Sequence, residues 1–164
     1  MHPKPEKPQQ GQESVWDYPR PPALEKVNKT LTVEFAGKII AKTNQGYRVL
    51  ETSHPPVYYF PPEDVNPEVL KESDFRTGCE WKGTGKYFHL KMNGQNSENA
   101  AWYYNKPKKR FEKIKNYIAF YPGRVDACFV DSERVMPQPG GFYGGWITEN
   151  VVGPFKGIDG SWGW

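Results

Sequence analysis

The chain has 164 residues, 37% hydrophobic, 15% aromatic and 25% charged, with a formal net charge of +3. That length fits one modest domain with a tail. Its 16 glycines, 16 prolines and 6 tryptophans argue for many turns and a mostly β chain rather than a helical bundle, and its charge falls well short of the basic excess of a dedicated DNA binder.

Residues 1–14 are rich in Pro, Gln and Lys and nearly devoid of large apolar side chains, so they are expected to form a disordered tail. In residues 15–28, Trp16 and Tyr18 stand among Pro19, Pro21 and Pro22. An extended segment of that kind docks at low entropic cost and is expected to strap across a sheet. From Lys29 the period becomes two. Leu31, Val33 and Phe35 share one face, and Gly37 punctuates before Ile39 and Ile40, which reads as a hairpin. Two extended runs follow, Tyr47 to Glu51 and Val57 to Phe60, separated by His54-Pro55-Pro56 and closed by Pro61-Pro62. Asn66 to Glu72 is the one stretch that predicts a short helix, with Asn66 as cap and Pro67 at the first position.

Tyr87 to Tyr104 predicts a hairpin most clearly. Phe88, Leu90 and Met92 alternate with polar neighbours, and Asn93-Gly94 supplies a type I′ turn. A basic stretch from Lys106 to Lys115 leads to strands at Tyr117 to Tyr121 and Val125 to Val130. Residues 29–135 are thus expected to form the β domain. Residues 136–164, too rich in Gly and Pro for regular structure and too aromatic for solvent, are expected to pack on it as an irregular extension.

No apolar run approaches the roughly 20 residues of a spanning helix, and Met1 to Gln10 has no apolar leader core, so a cytoplasmic protein without a membrane partner is expected. Cys79 and Cys128 are then expected as free thiols. They form no short-spaced ligand pair with His2, His54 or His89, which argues against a structural zinc. Gly83-Thr84-Gly85-Lys86 fails both the phosphate-loop pattern, with Tyr87 where Ser or Thr belongs, and the dinucleotide fingerprint, with Phe88 at the third glycine. No Gly-x-Ser-x-Gly elbow or Asp-x-Asp pair occurs.

The remaining candidates are polar groups among aromatic strands. Arg48 and Glu51 flank a strand near Tyr58. Glu98 and Asn99 precede Ala100-Ala101-Trp102, where small alanines beside an indole leave room for a ligand, or simply let another layer approach. Cys79 and Lys82 set a thiol and an ammonium around Trp81; a cation there can steady a phosphate or carboxylate, and a packed cysteine with a solvated lysine is the plainer reading. His54 reads as a turn residue before an acid-base catalyst. Lys106 to Lys115 beside Trp102 to Tyr104 has the ingredients for single-stranded nucleic acid, but lysines also collect on loops for solubility and Glu112 dilutes the charge, so nucleic acid is not the expected partner.

These stretches resemble a known family, the domain of unknown function numbered 427, also filed under a nucleotidyltransferase heading. Arg48-Val49-Leu50-Glu51-Thr52, Pro55 to Pro61, Cys79-Glu80-Trp81-Lys82-Gly83, Glu98-Asn99-Ala100-Ala101-Trp102 and Ala119-Phe120-Tyr121 carry the resemblance, over roughly Thr30 to Asp131. The flanks look like those of a longer, microbial subgroup. The resemblance implies a small antiparallel fold of two packed sheets, β-tent-like, with these motifs gathered on one concave face. Many relatives have proline where Glu80 stands.

The resulting expectation is a small-molecule site, for a nucleotide if the heading is followed, with magnesium only in that case. Arg48 and Lys82 would hold anionic groups, Tyr58 and Trp102 would stack, and Glu51, Cys79, Asn99 and Tyr121 would line the site. Glu98 is the candidate general base or metal ligand if any transfer occurs. The alternative is a non-catalytic module for protein interaction or homo-oligomerisation, using the aromatic extension and the strap.

Overall fold

Side-chain alternation along short strands builds the architecture, which the computed structural model describes for residues 2–164. In chain order the strands are β1 (Glu13–Ser14), β2 (Ala23–Lys26), β3 (Leu31–Phe35), β4 (Lys38–Thr43), β5 (Tyr47–Leu50), β6 (Val57–Tyr59), β7 (Leu70–Cys79), β8 (Gly83–Met92), β9 (Gln95–Tyr103), β10 (Ile118–Phe120), β11 (Ala127–Val130), β12 (Glu133–Arg134), β13 (Met136–Pro137), β14 (Trp146–Ile147) and β15 (Val151–Val152). Two four-stranded antiparallel sheets, β10-β9-β8-β7 and β12-β11-β3-β4, are the expected pair. A three-stranded sheet, β2-β5-β6, and two two-stranded ladders are added to them. The fold is mainly β with only short 3-10 turns, and no helix among the described residues is long and apolar enough to cross a membrane.

Both predicted hairpins form. Asn93 and Gly94 join β8 to β9 at φ 50° and 78°, and Ala36 and Gly37 join β3 to β4 at 52° and 75°, the positive pair that a type I′ turn demands. The predicted helix at Asn66 to Glu72 is instead a single 3-10 turn, Pro67–Val69, after which the chain extends as β7. Asn66 does cap that turn, its Oδ1 accepting from the Glu68 amide at 3.0 Å. One turn closes too few hydrogen bonds to hold a helix, whereas β7 pairs with β8 from Leu70 to Cys79 across one bulge.

The chain ends meet through contacts between residues far apart in sequence. The opening run, expected as a tail, is tied to the extension: the Glu6 amide donates to Gly153 O at 2.9 Å, and β1 pairs in parallel with β15. The strap adds β2 to the edge of β5. Arg48 pins it from below, bonding Glu13 at 3.0 Å and Glu25 at 2.7 Å.

Three apolar clusters follow from the alternation. The main core lies between the four-stranded sheets and includes Leu31, Val33, Phe60, Leu90, Ala101, Phe120 and Trp146. A second, aromatic cluster collects the side chains of the opposite face: Val49, Tyr59, Tyr87, Trp102, Tyr104, Ala119 and Tyr121, closed underneath by Phe111 and Ile114. A third, Val15, Tyr18, Leu50 and Val151, seats the strap.

Candidate functional site

The aromatic cluster floors a cavity of about 320 Å³. Alternation selects its lining. Along β6 and the residue that follows it, the side chains of Tyr58 and Phe60 enter the main core while Tyr59 between them turns to the cavity, and on β9 Ala101 and Trp102 divide in the same way. The rim comes from three irregular segments: Glu51 to Pro55 after β5, Thr77 to Lys82 around the β7–β8 turn, and Gln138 with Phe142, Tyr143, Gly144 and Lys156 from the extension.

Gly144 lies flat against the Trp102 indole. A Cβ at this position would sit 2.2 Å from Trp102 Cη2, so only glycine permits the approach. The neighbouring segment is latched from below. Tyr121 donates its hydroxyl to Phe142 O at 3.0 Å, and Arg124 donates to Gly141 O and to Asn99 O, each at 2.7 Å, with its guanidinium 3.9 Å over the Tyr121 ring.

A polar chain crosses the rim. Gln138 accepts the Gly145 amide on Oε1 at 3.0 Å and donates from Nε2 to Lys156 O at 2.9 Å, which fixes its amide orientation. The same Nε2 lies 3.0 Å from His54 Nδ1, so Nδ1 accepts and the proton sits on Nε2. That Nε2 faces the Glu51 carboxylate at 3.7 Å, which Arg20 also approaches at 3.6 Å. Burial, with Lys156, Lys82 and Arg20 nearby, holds the His54 pKa down at about 3. His54 is therefore neutral at pH 7, with Nδ1 bonded to Gln138 and Nε2 3.7 Å from the Glu51 carboxylate, and lies between Glu51 and Gln138.

Lys82 dominates the electrostatics. The residue is half-buried, and its ammonium end is surrounded by protein at the cavity wall. Burial opposes the charge, but Tyr59, Cys79 and Glu51 around it more than offset that opposition, so its pKa lies above the ordinary lysine value. No carboxylate among the described residues lies within 4 Å of it. Burial likewise pushes the phenols of Tyr59, Tyr104 and Tyr121 up, so they remain neutral hydrogen-bonding groups.

Of the residues singled out from sequence, Glu51, Cys79, Lys82, Trp102 and Tyr121 line this cavity. Arg48 and Tyr58 do not. They pair across β5 and β6 and share the face opposite Val49 and Tyr59, where Arg48 holds the strap and Tyr58 packs on Trp146 at 5.0 Å between ring centroids. Glu98 is exposed on β9, away from the lining. Asn99 sits at a bulge with φ 49°. Its backbone amide donates to His89 Nδ1 at 3.0 Å, its Oδ1 accepts from Ser73 Oγ at 2.5 Å and its carbonyl accepts from Arg124, so it is engaged outside the cavity lining. The lysines of the basic stretch project outward from the 3-10 turn Lys109–Ile114, whereas Trp102 and Tyr104 face the cavity. Cations and rings from that region are thus separated.

Sequence reasoning passed over Tyr59, Tyr87, Tyr104, Gln138, Tyr143 and Lys156 as site residues. Strand alternation carried a signal for Tyr87, which pairs with Trp102 across the β8–β9 hairpin, and for Tyr104, two residues on from Trp102, but not for Tyr59. Nothing local marked Gln138, Tyr143 and Lys156, because they enter from the extension.

The fold and site define a class: an antiparallel β protein with an aromatic cavity carrying an enclosed lysine. The family described as domain of unknown function DUF427, whose short name refers to nucleotidyl transfer, matches residues 23–131, more than half of the chain, and the chain belongs to it. None of the curated proteins matches. Gln138, Phe142, Tyr143, Gly144 and Lys156 lie beyond the matched segment, so this chain supplies one wall of its cavity from outside the family domain.

Proposed function

We propose that the cavity binds a compact planar molecule bearing an anionic group, of nucleoside monophosphate size or smaller. The observation that carries this reading is the enclosed Lys82 ammonium without a carboxylate partner. Buried charges are ordinarily paired, and in an open-mouthed cavity the missing partner is supplied by a ligand. The rings of Trp102, Tyr59, Tyr87 and Tyr121 offer stacking and edge contacts to a planar body, the neutral phenols and Gln138 offer hydrogen bonds, and Lys156 adds a second cation at the rim.

The family's short name supports a nucleotide as one such ligand. Nucleotidyl transfer also needs carboxylates that hold magnesium against a triphosphate. The carboxylates of the lining are Glu51, which the Arg20 guanidinium approaches at 3.6 Å, and the exposed Glu80. Among the described residues no three His, Cys, Asp or Glu side chains gather to hold a metal. The donor set does not fit that chemistry, so the reading is binding, with no transfer step.

Thermal unfolding against nucleoside mono-, di- and triphosphates and aromatic carboxylates, each with and without magnesium, tests it. Ligand at about a hundred times its dissociation constant stabilises by about 2.7 kcal/mol, a shift of several degrees for a domain of this size. The expected result is a shift with monophosphates or aromatic carboxylates that is independent of magnesium. No shift across the panel would reject the reading and move attention to the exposed Phe142, Ile158 and Trp162 of the extension as a partner surface.

A further inference from the structure

A sheet edge presents backbone donors and acceptors that proteins ordinarily cover or blunt. Three edges here are covered. Along β4 the Asn66 amide donates to Ile40 O, Ile118 of β10 exchanges backbone bonds with Phe60, and on β7 the Arg76 guanidinium donates to Ser73 O and Phe75 O. The outer edge of β2 is not covered in this way. β2 is the end strand of its sheet, and the bond from the Val27 amide to Gly46 O sets the alternation along it. Ala23 and Glu25 turn their backbone groups to β5, while Leu24 and Lys26 turn theirs outward.

Leu24 and Lys26 border a groove of about 760 Å³, whose other wall is the 3-10 turn Lys109–Ile114. Lys26, Lys109, Arg110 and Lys113 line it, all exposed, against the single carboxylate of Glu112. None of the four cations has a carboxylate within 4 Å among the described residues. Leu24 packs on the aromatic cluster, as Phe111 and Ile114 of the turn do, so the side chains of Leu24 and Lys26 share the face that the turn occupies. A strand added beside β2 would present alternate side chains to that face and its cations, and the others to the face of Glu25.

We propose that the β2 edge is a docking site for an acidic protein segment in extended conformation, which adds as a further strand and sets carboxylates at alternate positions against Lys26, Lys109, Arg110 and Lys113. Two features select this occupant. The outward backbone groups of Leu24 and Lys26 are matched by another polypeptide strand, and main-chain bonds of that kind supply affinity while side chains supply specificity. A second copy of β2 would bring like charges together, which opposes self-pairing. The groove shares no lining residue with the aromatic cavity, so this site is independent of the ligand reading.

The test is fluorescence anisotropy of the full-length chain with a labelled peptide of alternating Glu and Thr, about six residues long. Binding is expected to weaken as salt is raised. Lys109→Glu combined with Lys113→Glu, its folding checked by melting temperature, should reduce affinity about tenfold or more. On the native chain, N-methylation of one alternate set of peptide amides should cost about tenfold, the loss of two backbone bonds, and N-methylation of the other set little. Hydrogen exchange of the Leu24 and Lys26 amides should slow when the peptide is added. Absence of peptide binding overturns the proposal, and so does a folded charge-reversed chain that binds at native affinity. Equal effects of the two methylated sets, or oligothymidylate binding as tightly as the peptide with those two amides still exchanging freely, would make the groove a general polyanion surface and also overturn it. Protection of those amides without peptide, as chain concentration rises, would assign the edge to a second copy instead.

Discussion

Gln138 Nε2 donates to Nδ1 of His54 across 3.0 Å, joining the extension to the turn after β5 and holding the imidazole neutral inside the rim. A histidine whose folded pKa is about 3 binds its proton far more readily unfolded, where the value is about 6.5. Between those values the unfolded chain carries more protons, so stability rises with pH across the interval, is fully present above about 6.5, and is lost as pH falls toward about 3. Melting temperatures should therefore drop steeply on acidification through this window. In His54→Gln, which keeps a polar side chain but cannot titrate, the slope between pH 6.5 and 3 should flatten; an unchanged slope would assign the acid sensitivity elsewhere.

Gly144 against Trp102 gives a second expectation. Gly144→Ala must displace either the indole or the Phe142-Tyr143 segment, because its Cβ would meet Trp102 Cη2 at 2.2 Å. Overpacking of this kind costs about 1–3 kcal/mol. Denaturant unfolding should show that loss, and ligands that shift the native melting temperature should do so weakly or not at all. A variant as stable as the native chain would show that the approach of the extension is not tight in solution.

Lys82 is where stability and function should separate. The surroundings of the Lys82 ammonium more than offset its burial, so Lys82→Met should leave stability unchanged or lower it slightly. Affinity for an anionic ligand should fall by about tenfold or more, since a charge-assisted contact is worth about 1.5–3 kcal/mol. If the variant is strongly destabilised and still binds, Lys82 is a structural group.

Arg48 should behave in the opposite sense. It bonds Glu13 and Glu25 from a position 15% exposed, while the two carboxylates are 37% and 52% exposed, so solvent screens part of the interaction. Arg48→Met is expected to cost about 1–2 kcal/mol and to open β1 and β2 to hydrogen exchange, with ligand affinity preserved. Loss of affinity with the strap still protected would place Arg48 at the ligand.

Glu98, exposed on β9 and outside the lining, is the control among the candidates. Glu98→Gln should change stability by no more than about 0.5 kcal/mol and leave thermal shifts by any cavity ligand intact. A lost ligand response would bring Glu98 into the site.

The local chemistry of the chain determined a good deal of this. Asn93-Gly94 demanded positive φ twice, and the period of two over Leu31 to Phe35 and over Phe88 to Met92 demanded strands with one buried face. The mainly β class and both hairpins were legible because each rests on neighbours within a few positions, whereas a shared face for Glu51, Cys79, Lys82, Trp102 and Tyr121 was implied only by the family resemblance. Which of two adjacent tyrosines turns toward the cavity was not. A shift of one residue exchanges the faces of a strand, and only the pairing of Arg48 with Tyr58 and of Tyr47 with Tyr59 sets which face of β6 meets the main core. The helix expected at Asn66 to Glu72 yielded for a related reason, since a ladder of seven residue pairs with β8 outweighs one capped turn. The wall built by Gln138, Tyr143, Gly144 and Lys156 was decided by tertiary structure alone. Its contacts with His54 and Trp102 bridge residues more than forty positions apart, and no local propensity encodes where an irregular segment comes to rest.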